Sequence, residues 1–222
     1  MTQYEPELPV EVAFIPKAVK MPLGRAIAEK GLRQFHLAET EKERHVTYYF
    51  NSRREEPFPF EDRVEIPSPK VKTYDLQPEM SAYGITEELL RRIKTGFYDF
   101  ILVNYANPDM VGHTGVLEAG IKACEVVDDC VGRVVKTVNN LNGLCLVTAD
   151  HGNVEEMIDL NTGEIDTKHS TNPVPFIVVS KHFDHRGRML PKGILADIAT
   201  TVLAIMGVEK PGLMTGKNLL KQ

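Results

Sequence analysis

The sequence predicts an α/β fold built in layers around a largely parallel sheet. Three observations carry that expectation. Short apolar runs stand at Phe100-Ile101-Leu102-Val103, Leu144-Cys145-Leu146-Val147 and Pro175-Phe176-Ile177-Val178-Val179, the composition of strands covered on both faces. Stretches with apolar residues at three- and four-residue spacing lie between or after them. The order strand, loop, helix then repeats, as a parallel sheet requires of its crossovers.

Taken along the chain, Val10-Glu11-Val12-Ala13-Phe14-Ile15 reads as a strand, and residues 23–35 have helical spacing closed by Gly31 or the polar stretch beyond it. Val46-Thr47-Tyr48-Tyr49-Phe50 is β-branched and aromatic, hence a strand. Pro57, Pro59, Pro67, Pro69 and Pro78 fix φ repeatedly and remove donors, which indicates a long ordered loop. Thr86 can cap a helix with Glu87 and Glu88 in its first turn and Gly96 at its end. The run at residues 100–103 enters a polar loop, 104–115. Leu117, Ile121, Cys124, Val127, Val131, Val134 and Val138 then recur on one stripe of a helix, read as its buried face. The run at 144–147 enters Thr148-Ala149-Asp150-His151-Gly152-Asn153. Ile194, Leu195, Ile198, Val202, Leu203 and Met206 make a last amphipathic helix, stopped by Gly207.

Composition narrows the function. The 222 residues carry 26 Lys+Arg against 31 Asp+Glu, a net charge of −5 and a pI near 5.8, which argues against a generic basic nucleic-acid binder. With 42% hydrophobic and 26% charged residues the chain has an ordinary globular balance. No uncharged run approaches the ~18 residues of a membrane span. Residues 1–7 lack the basic and apolar parts of a secretory signal, so a cytoplasmic location is expected. Three widely spaced cysteines fit a reducing compartment and read as core thiols. Without a repeat or a Gly/Ser linker, residues 1–222 read as a single domain.

In open α/β sheets, ligands bind beyond the carboxyl ends of the strands. The loops there carry Asp109 with His113, then adjacent Asp150 and His151, and His169 stands shortly before the run at 175–179. Two carboxylates and three imidazoles suit manganese, zinc, iron or cobalt better than calcium. Asp109 and His113 are one helical turn apart, whereas adjacent residues such as Asp150 and His151 reach one ion only from a turn, or serve two neighbouring ions. Spacing alone leaves other roles open: Asp109 after Pro108 can cap a helix, and Asp150 with Gly152 can form a strand-ending turn. Lys42 lies in a charged run with Glu39, Glu41, Glu43 and Arg44, where a solvated lysine is the plain reading. His36, His45, His182 and His185 have no partner at ligand spacing and read as surface or core histidines.

The surrounding motifs go further. Val103-Asn104-Tyr105-Ala106-Asn107-Pro108-Asp109-Met110-Val111-Gly112-His113-Thr114-Gly115, Thr148-Ala149-Asp150-His151-Gly152-Asn153 and His169-Ser170-Thr171-Asn172-Pro173-Val174-Pro175-Phe176 closely resemble three signatures of cofactor-independent phosphoglycerate mutases, within the alkaline-phosphatase-like metalloenzymes. Ala38-Glu39-Thr40-Glu41-Lys42 and residues 67–82 agree as well. The resemblance runs over essentially the whole chain. It implies a three-layer alkaline-phosphatase-like fold and two divalent ions, usually manganese. Asp109, His113 and His169 would hold one ion, Asp150 and His151 would contribute to its neighbour, and Lys42 would contact phosphate. The implied reaction is a glycolytic isomerisation of 2- and 3-phosphoglycerate through a phosphoserine.

The chain also departs from that family pattern. The family's first strand with a further metal aspartate, its serine nucleophile and its inserted transferase domain find no match. The chain is therefore expected to be the C-terminal portion of the phosphatase-type domain. It would bind about one ion, be inactive alone, and self-associate or be marginally stable because of an unpaired sheet edge. A split gene would supply the missing N-terminal half in trans, as a partner; a truncated chain or a start at an internal methionine are the other origins. Ser170 and Ser81 lack the nucleophile's context and read as structural. Ser52-Arg53 and Phe60 stand where relatives have glycine. A non-catalytic metal-binding remnant or subunit of a split enzyme is the second reading, and a metal-dependent phosphate hydrolase the third. Neither nucleic acid nor membrane is an expected partner.

Overall fold

In chain order the elements are α1 (Leu23–Ala28), β1 (Gln34–Glu39), β2 (Glu61–Ile66), α2 (Ala82–Lys94), β3 (Phe100–Val103), α3 (Asn107–Gly112), α4 (Leu117–Asn140), β4 (Cys145–Thr148), β5 (Phe176–Val179) and α5 (Ala196–Ile205). The structure, a computed structural model, describes residues 9–15, 18–183 and 189–221. Strand β1 is buried along its whole length and lies between β2 and β3, both parallel to it. Strands β4 and β5 form a separate antiparallel pair.

Alternation along β1 sends side chains to two covered faces. Phe35 and Leu37 pack against Ile85, Leu89 and Leu90 of α2 and Val134 of α4. On the other face, Leu23 and Ile27 of α1 and Val202 and Leu203 of α5 enclose Phe100 of β3 and Leu146 of β4. Helices therefore cover both sides of the strands, giving an α/β fold in three layers around a parallel sheet. Among the described residues no helix is long and apolar enough to cross a membrane.

Several elements differ from the sequence expectation. Residues 10–15 form no strand beyond a single bridge position at Phe14, and Phe14 and Ile15 stand largely exposed. The helix read over residues 23–35 ends at Ala28, Gly31 turns the chain with φ of 70°, and Gln34 and Phe35 already belong to β1. That strand was hidden because Gln34, His36 and Glu39 are polar yet buried. Gln34 Nε2 donates to the Gly24 carbonyl at 2.8 Å, and Gln34 Oε1 lies 3.2 Å from His36 Nε2. Residues 46–50 are helical, in a π-turn over His45–Tyr49 that buries Val46 and Thr47; the Thr47 hydroxyl donates back to the Glu43 carbonyl at 2.9 Å, an option that weakens β-propensity. The proline-rich loop contains β2, because Pro57, Pro59, Pro67 and Pro69 flank that strand without entering it.

Helix α2 begins at Ala82, so Thr86 is not its cap; the Thr86 hydroxyl donates to the Ala82 carbonyl at 2.8 Å inside the helix. Part of the polar loop at 104–115 is helix α3. Helix α4 is rotated from the expected face. It buries Ala119, Gly120, Ala123, Val126, Cys130 and Val134, while Leu117, Ile121 and Cys124 are exposed. Small residues allow close approach: a Cβ on Gly120 would lie 2.5 Å from Met157 Sδ. The cysteines are free, with Cys130 buried, Cys145 half-buried and Cys124 at the surface, so the core-thiol reading fails for Cys124. Ile194 and Leu195 precede α5 and are exposed, whereas Gly207 closes it with φ of 67°. Residues 1–7 and His185 lie outside the described residues.

Candidate metal centre

Three carboxyl ends of strands converge. Strand β1 runs into a 3₁₀ turn, Thr40–Lys42, that aims Lys42 inward. Its conformation is tied from the side: Thr40 Oγ1 donates to Glu65 Oε1 at 2.5 Å, Ser68 Oγ to Glu39 Oε2 at 2.9 Å and the Tyr74 hydroxyl to Glu41 Oε1 at 2.6 Å. Burial pushes the Glu39 carboxyl above its usual range against the hydrogen bonds from Ser68 and Ser81.

Strand β3 leads into α3, whose first turn carries Pro108 and Asp109. Asp109 does not cap that helix. Its Oδ2 accepts a short, ion-paired hydrogen bond from Lys42 Nζ, and its Oδ1 accepts one from Asn153 Nδ2 at 2.8 Å. Burial raises the Asp109 carboxyl, but the bonds from Lys42 and Asn153 outweigh it and hold the group at about 2.

One helical turn on, His113 Nε2 lies 3.1 Å from Asp109 Oδ1. Strand β4 delivers Asp150 and His151. A bridge between Gly152 and Ser170 then folds the later loop back, so that His169 Nε2 comes within 3.1 Å of both Asp109 Oδ1 and His113 Nε2. The His151 and His169 rings stack at 3.8 Å, with His151 Nε2 4.0 Å from Asp109 Oδ1. Asp109, His151 and His169 also offer donor atoms that all lie within 4.8 Å of one another.

This donor set fits a divalent transition ion. His113 Nδ1 is 2.7 Å from the Thr167 carbonyl, which can only accept, so Nδ1 carries a proton and leaves Nε2 as the ring nitrogen that can face an ion. Asp109 Oδ1, His113 Nε2 and His169 Nε2 meet in a triangle with 3.1 Å sides. Ligand atoms about 2.1 Å from one ion are roughly 3.0 Å apart at octahedral angles and roughly 3.4 Å apart at tetrahedral ones.

Of the residues singled out in the sequence, Lys42, Asp109, His113, His151 and His169 are brought together. Asp150 reaches the group at His151, 3.6 Å away, with its side chain 57% exposed. His45 is exposed, in keeping with the surface reading, and lies near the cluster. Burial first, and then the Lys42 charge, lower its pKa, with Asp150 and Asp109 opposing, so it senses the cluster. His36 is a core histidine as expected, and His182 is an exposed one whose Nε2 lies 3.2 Å from the Asn142 carbonyl. Two participants, Asn153 and Glu155, were missed; their only sequence signal is a position just past His151-Gly152.

An α/β sheet with histidines and a carboxylate gathered at its carboxyl edge defines a class of metal-dependent enzymes. A family model described as the metalloenzyme superfamily matches residues 14–210, and the chain belongs to that superfamily. It is 55% identical over 222 residues to the 2,3-bisphosphoglycerate-independent phosphoglycerate mutase of Thermomicrobium roseum, covering 99% of the chain and 42% of that relative. To the protein of the same name from Clostridium acetobutylicum it is 53% identical, covering 100% of the chain and 43% of the relative. A crystal structure of Leishmania mexicana phosphoglycerate mutase at low cobalt concentration superposes with a TM-score of 0.80 at 30% identity, over 90% of this chain and 39% of that one. The chain thus spans less than half the length of these relatives.

Proposed function

We propose that this chain is the metal-binding portion of a 2,3-bisphosphoglycerate-independent phosphoglycerate mutase, a glycolytic isomerase that interconverts 2- and 3-phosphoglycerate in the cytoplasm. The observation that carries this reading is the sharing of one carboxylate, Asp109, between a lysine ammonium and a group of imidazole nitrogens. The names of relatives more than half identical over the whole chain support it.

In this reading Asp109, His113 and His169 hold one manganese ion, and His151 with Asp150 contributes to a second. Bound divalent ions would lower the pKa of a hydroxyl and neutralise charge on a phosphoryl group in transfer. Lys42 spends one of its three N–H donors on Asp109 Oδ2 and keeps two for phosphate oxygens. Asn153 Nδ2 holds Asp109 Oδ1 on the histidine side, so that the two carboxylate oxygens serve different partners. Lys42 and Asp109 are nearly enclosed, while the side chains of His169 and Asp150 are about half exposed, so substrate approaches from the His169 side.

Near the cluster Ser170 Oγ is engaged by Glu155, and the hydroxyls of Ser81 and Ser68 are given to the Pro67 carbonyl and to Glu39. In this reading the phosphoryl-accepting serine belongs to the part of the relatives that the chain does not cover, and the chain alone is inactive. A chimera tests this: the chain replaces the matching 43% of the Clostridium acetobutylicum relative, and conversion of 3- to 2-phosphoglycerate is followed. Activity of the manganese-loaded chimera, with none from the chain alone, is expected. A folded, metal-loaded but inert chimera would overturn the proposal, and net release of phosphate would favour a hydrolase.

A further inference from the structure

The loops bearing His151 and His169 are separate in sequence, and one carboxylate ties them together. Glu155 Oε2 accepts a hydrogen bond from the Asn153 backbone N–H at 2.8 Å. Its Oε1 accepts a short one from Ser170 Oγ and another from Asn172 Nδ2 at 3.2 Å. The donors thus come from both loops. Asn172 Nδ2 is also held by Glu156 Oε2 at 2.9 Å, and Ser170 N–H donates to the Gly152 carbonyl at 2.9 Å. Gly152 and Ser170 directly follow the two histidines, so this clamp acts one residue away from each ring.

Gly152 is part of the device. A Cβ there would lie 2.2 Å from both Glu155 Oε1 and Ser170 Oγ, so any side chain would open the clamp. Between the two loops, residues 156–168 make an excursion whose own closure includes the Ile158–Ile165 bridge. That bridge fixes the excursion internally but does not aim His169. The clamp closes directly beside His169, next to the ring stack at 3.8 Å and the 3.1 Å approach of His169 Nε2 to Asp109 Oδ1, and the contact of the Thr167 carbonyl with His113 Nδ1 at 2.7 Å is a second tie there.

We propose that Glu155 is a positioning residue for the metal centre: it does not touch the ion, but by holding Ser170 and Asn172 against Gly152 and Asn153 it fixes His169 beside His151, His113 and Asp109. The inference rests on the cluster being a metal centre. Its chemistry is that of an outer carboxylate that orders ligands through hydrogen bonds, and removal of such partners typically costs about 10–100-fold in metal affinity.

The test is cobalt(II) titration of the full chain, followed by calorimetry and by the visible absorption of the bound ion, in wild type, Glu155→Ala, Glu155→Gln and Ser170→Ala. Glu155→Ala is expected to weaken cobalt binding about 10–100-fold and to alter the visible band, since the coordination geometry changes with the ring. Glu155→Gln keeps an acceptor for Ser170 but sets an NH₂ against the Asn153 N–H, so a smaller loss is expected. Should Glu155→Ala fail to fold, Ser170→Ala removes one arm, leaves the Gly152–Ser170 backbone bridge, and must still change both affinity and band. Wild-type binding with unchanged affinity and spectrum in the folded variants overturns this inference and leaves the metal centre standing. A wild-type chain that binds no cobalt overturns both.

Discussion

Asp109 Oδ1 and His169 Nε2 sit 3.1 Å apart, although one enters from α3 and the other from the loop before β5. With His113 Nε2 also 3.1 Å from each of them, the three atoms are spaced as ligands of one cation would be. We expect His169→Ala and Asp109→Ala each to abolish tight binding of manganese, with wild type retaining about one ion per chain after gel filtration. Loss of a ligand from a three-residue site typically costs well over tenfold in affinity. Metal analysis of the three proteins decides the matter, and retention of the ion in both variants would refute the assignment.

Lys42 and Asp109 form an ion pair with side chains 10% and 13% exposed. Removing one member leaves a charge with little solvent, so Lys42→Met should destabilise the metal-free chain by about 2–4 kcal/mol. A divalent cation supplies the missing positive charge. Urea unfolding should therefore show a smaller penalty with saturating manganese than with chelator, and equal penalties would mean that Asp109 does not face the ion.

His36 gives a pH dependence of known sign. Burial in β1 lowers its pKa from 6.5 to about 4, against the attraction of Glu61, whose Oε1 lies 3.5 Å away. Above pH 6.5 the ring is neutral whether folded or unfolded. Between pH 6.5 and about 4 the unfolded chain takes up a proton that the folded chain refuses, so stability falls as pH falls through that window. The loss is on the order of 3 kcal/mol. Unfolding curves in chelator should be steeper in pH for wild type than for His36→Gln, and parallel curves would contradict the buried neutral ring.

Ser52, Arg53 and Phe60 adopt φ of 60°, 68° and 65°, the left-handed region, at the positions where the family resemblance implies glycine. A side chain there costs roughly 1 kcal/mol. Arg53→Gly should thus stabilise the chain by about 0.5–1 kcal/mol in spite of the added freedom of the unfolded state. Thermal unfolding with a lower midpoint for the variant would show that the turn is held by contacts of Arg53.

What the sequence disclosed and what it concealed follow from burial. Strands β3 and β4 were legible because continuous apolar runs leave few other structures open, and Asp109 with His113 was legible because one helical turn separates them. Strand β1, the centre of the sheet, was not, since Gln34, His36 and Glu39 read as surface until their buried partners are known. Charged Glu61, Asp62, Arg63 and Glu65 similarly masked β2, which pairs with β1 alone. In α4 the larger residues signalled the wrong face, because close packing there rewards alanine and glycine. Glu155 was invisible for another reason: beside the nearby Asn153 N–H, its donors Ser170 and Asn172 come from a loop that only folding brings near.

The bridge between Gly152 and Ser170 closes residues 153–169 into an excursion that buries Asn153 and Met157 and carries exposed Leu160 and Ile165. A cation gripping Asp109, His113 and His169 would fasten the far end of that excursion to α3, as a rivet joins two plates. Chelation should then do more than silence chemistry. It should turn residues 153–169 into the preferred target of limited proteolysis, so that metal supply would govern how long the polypeptide survives.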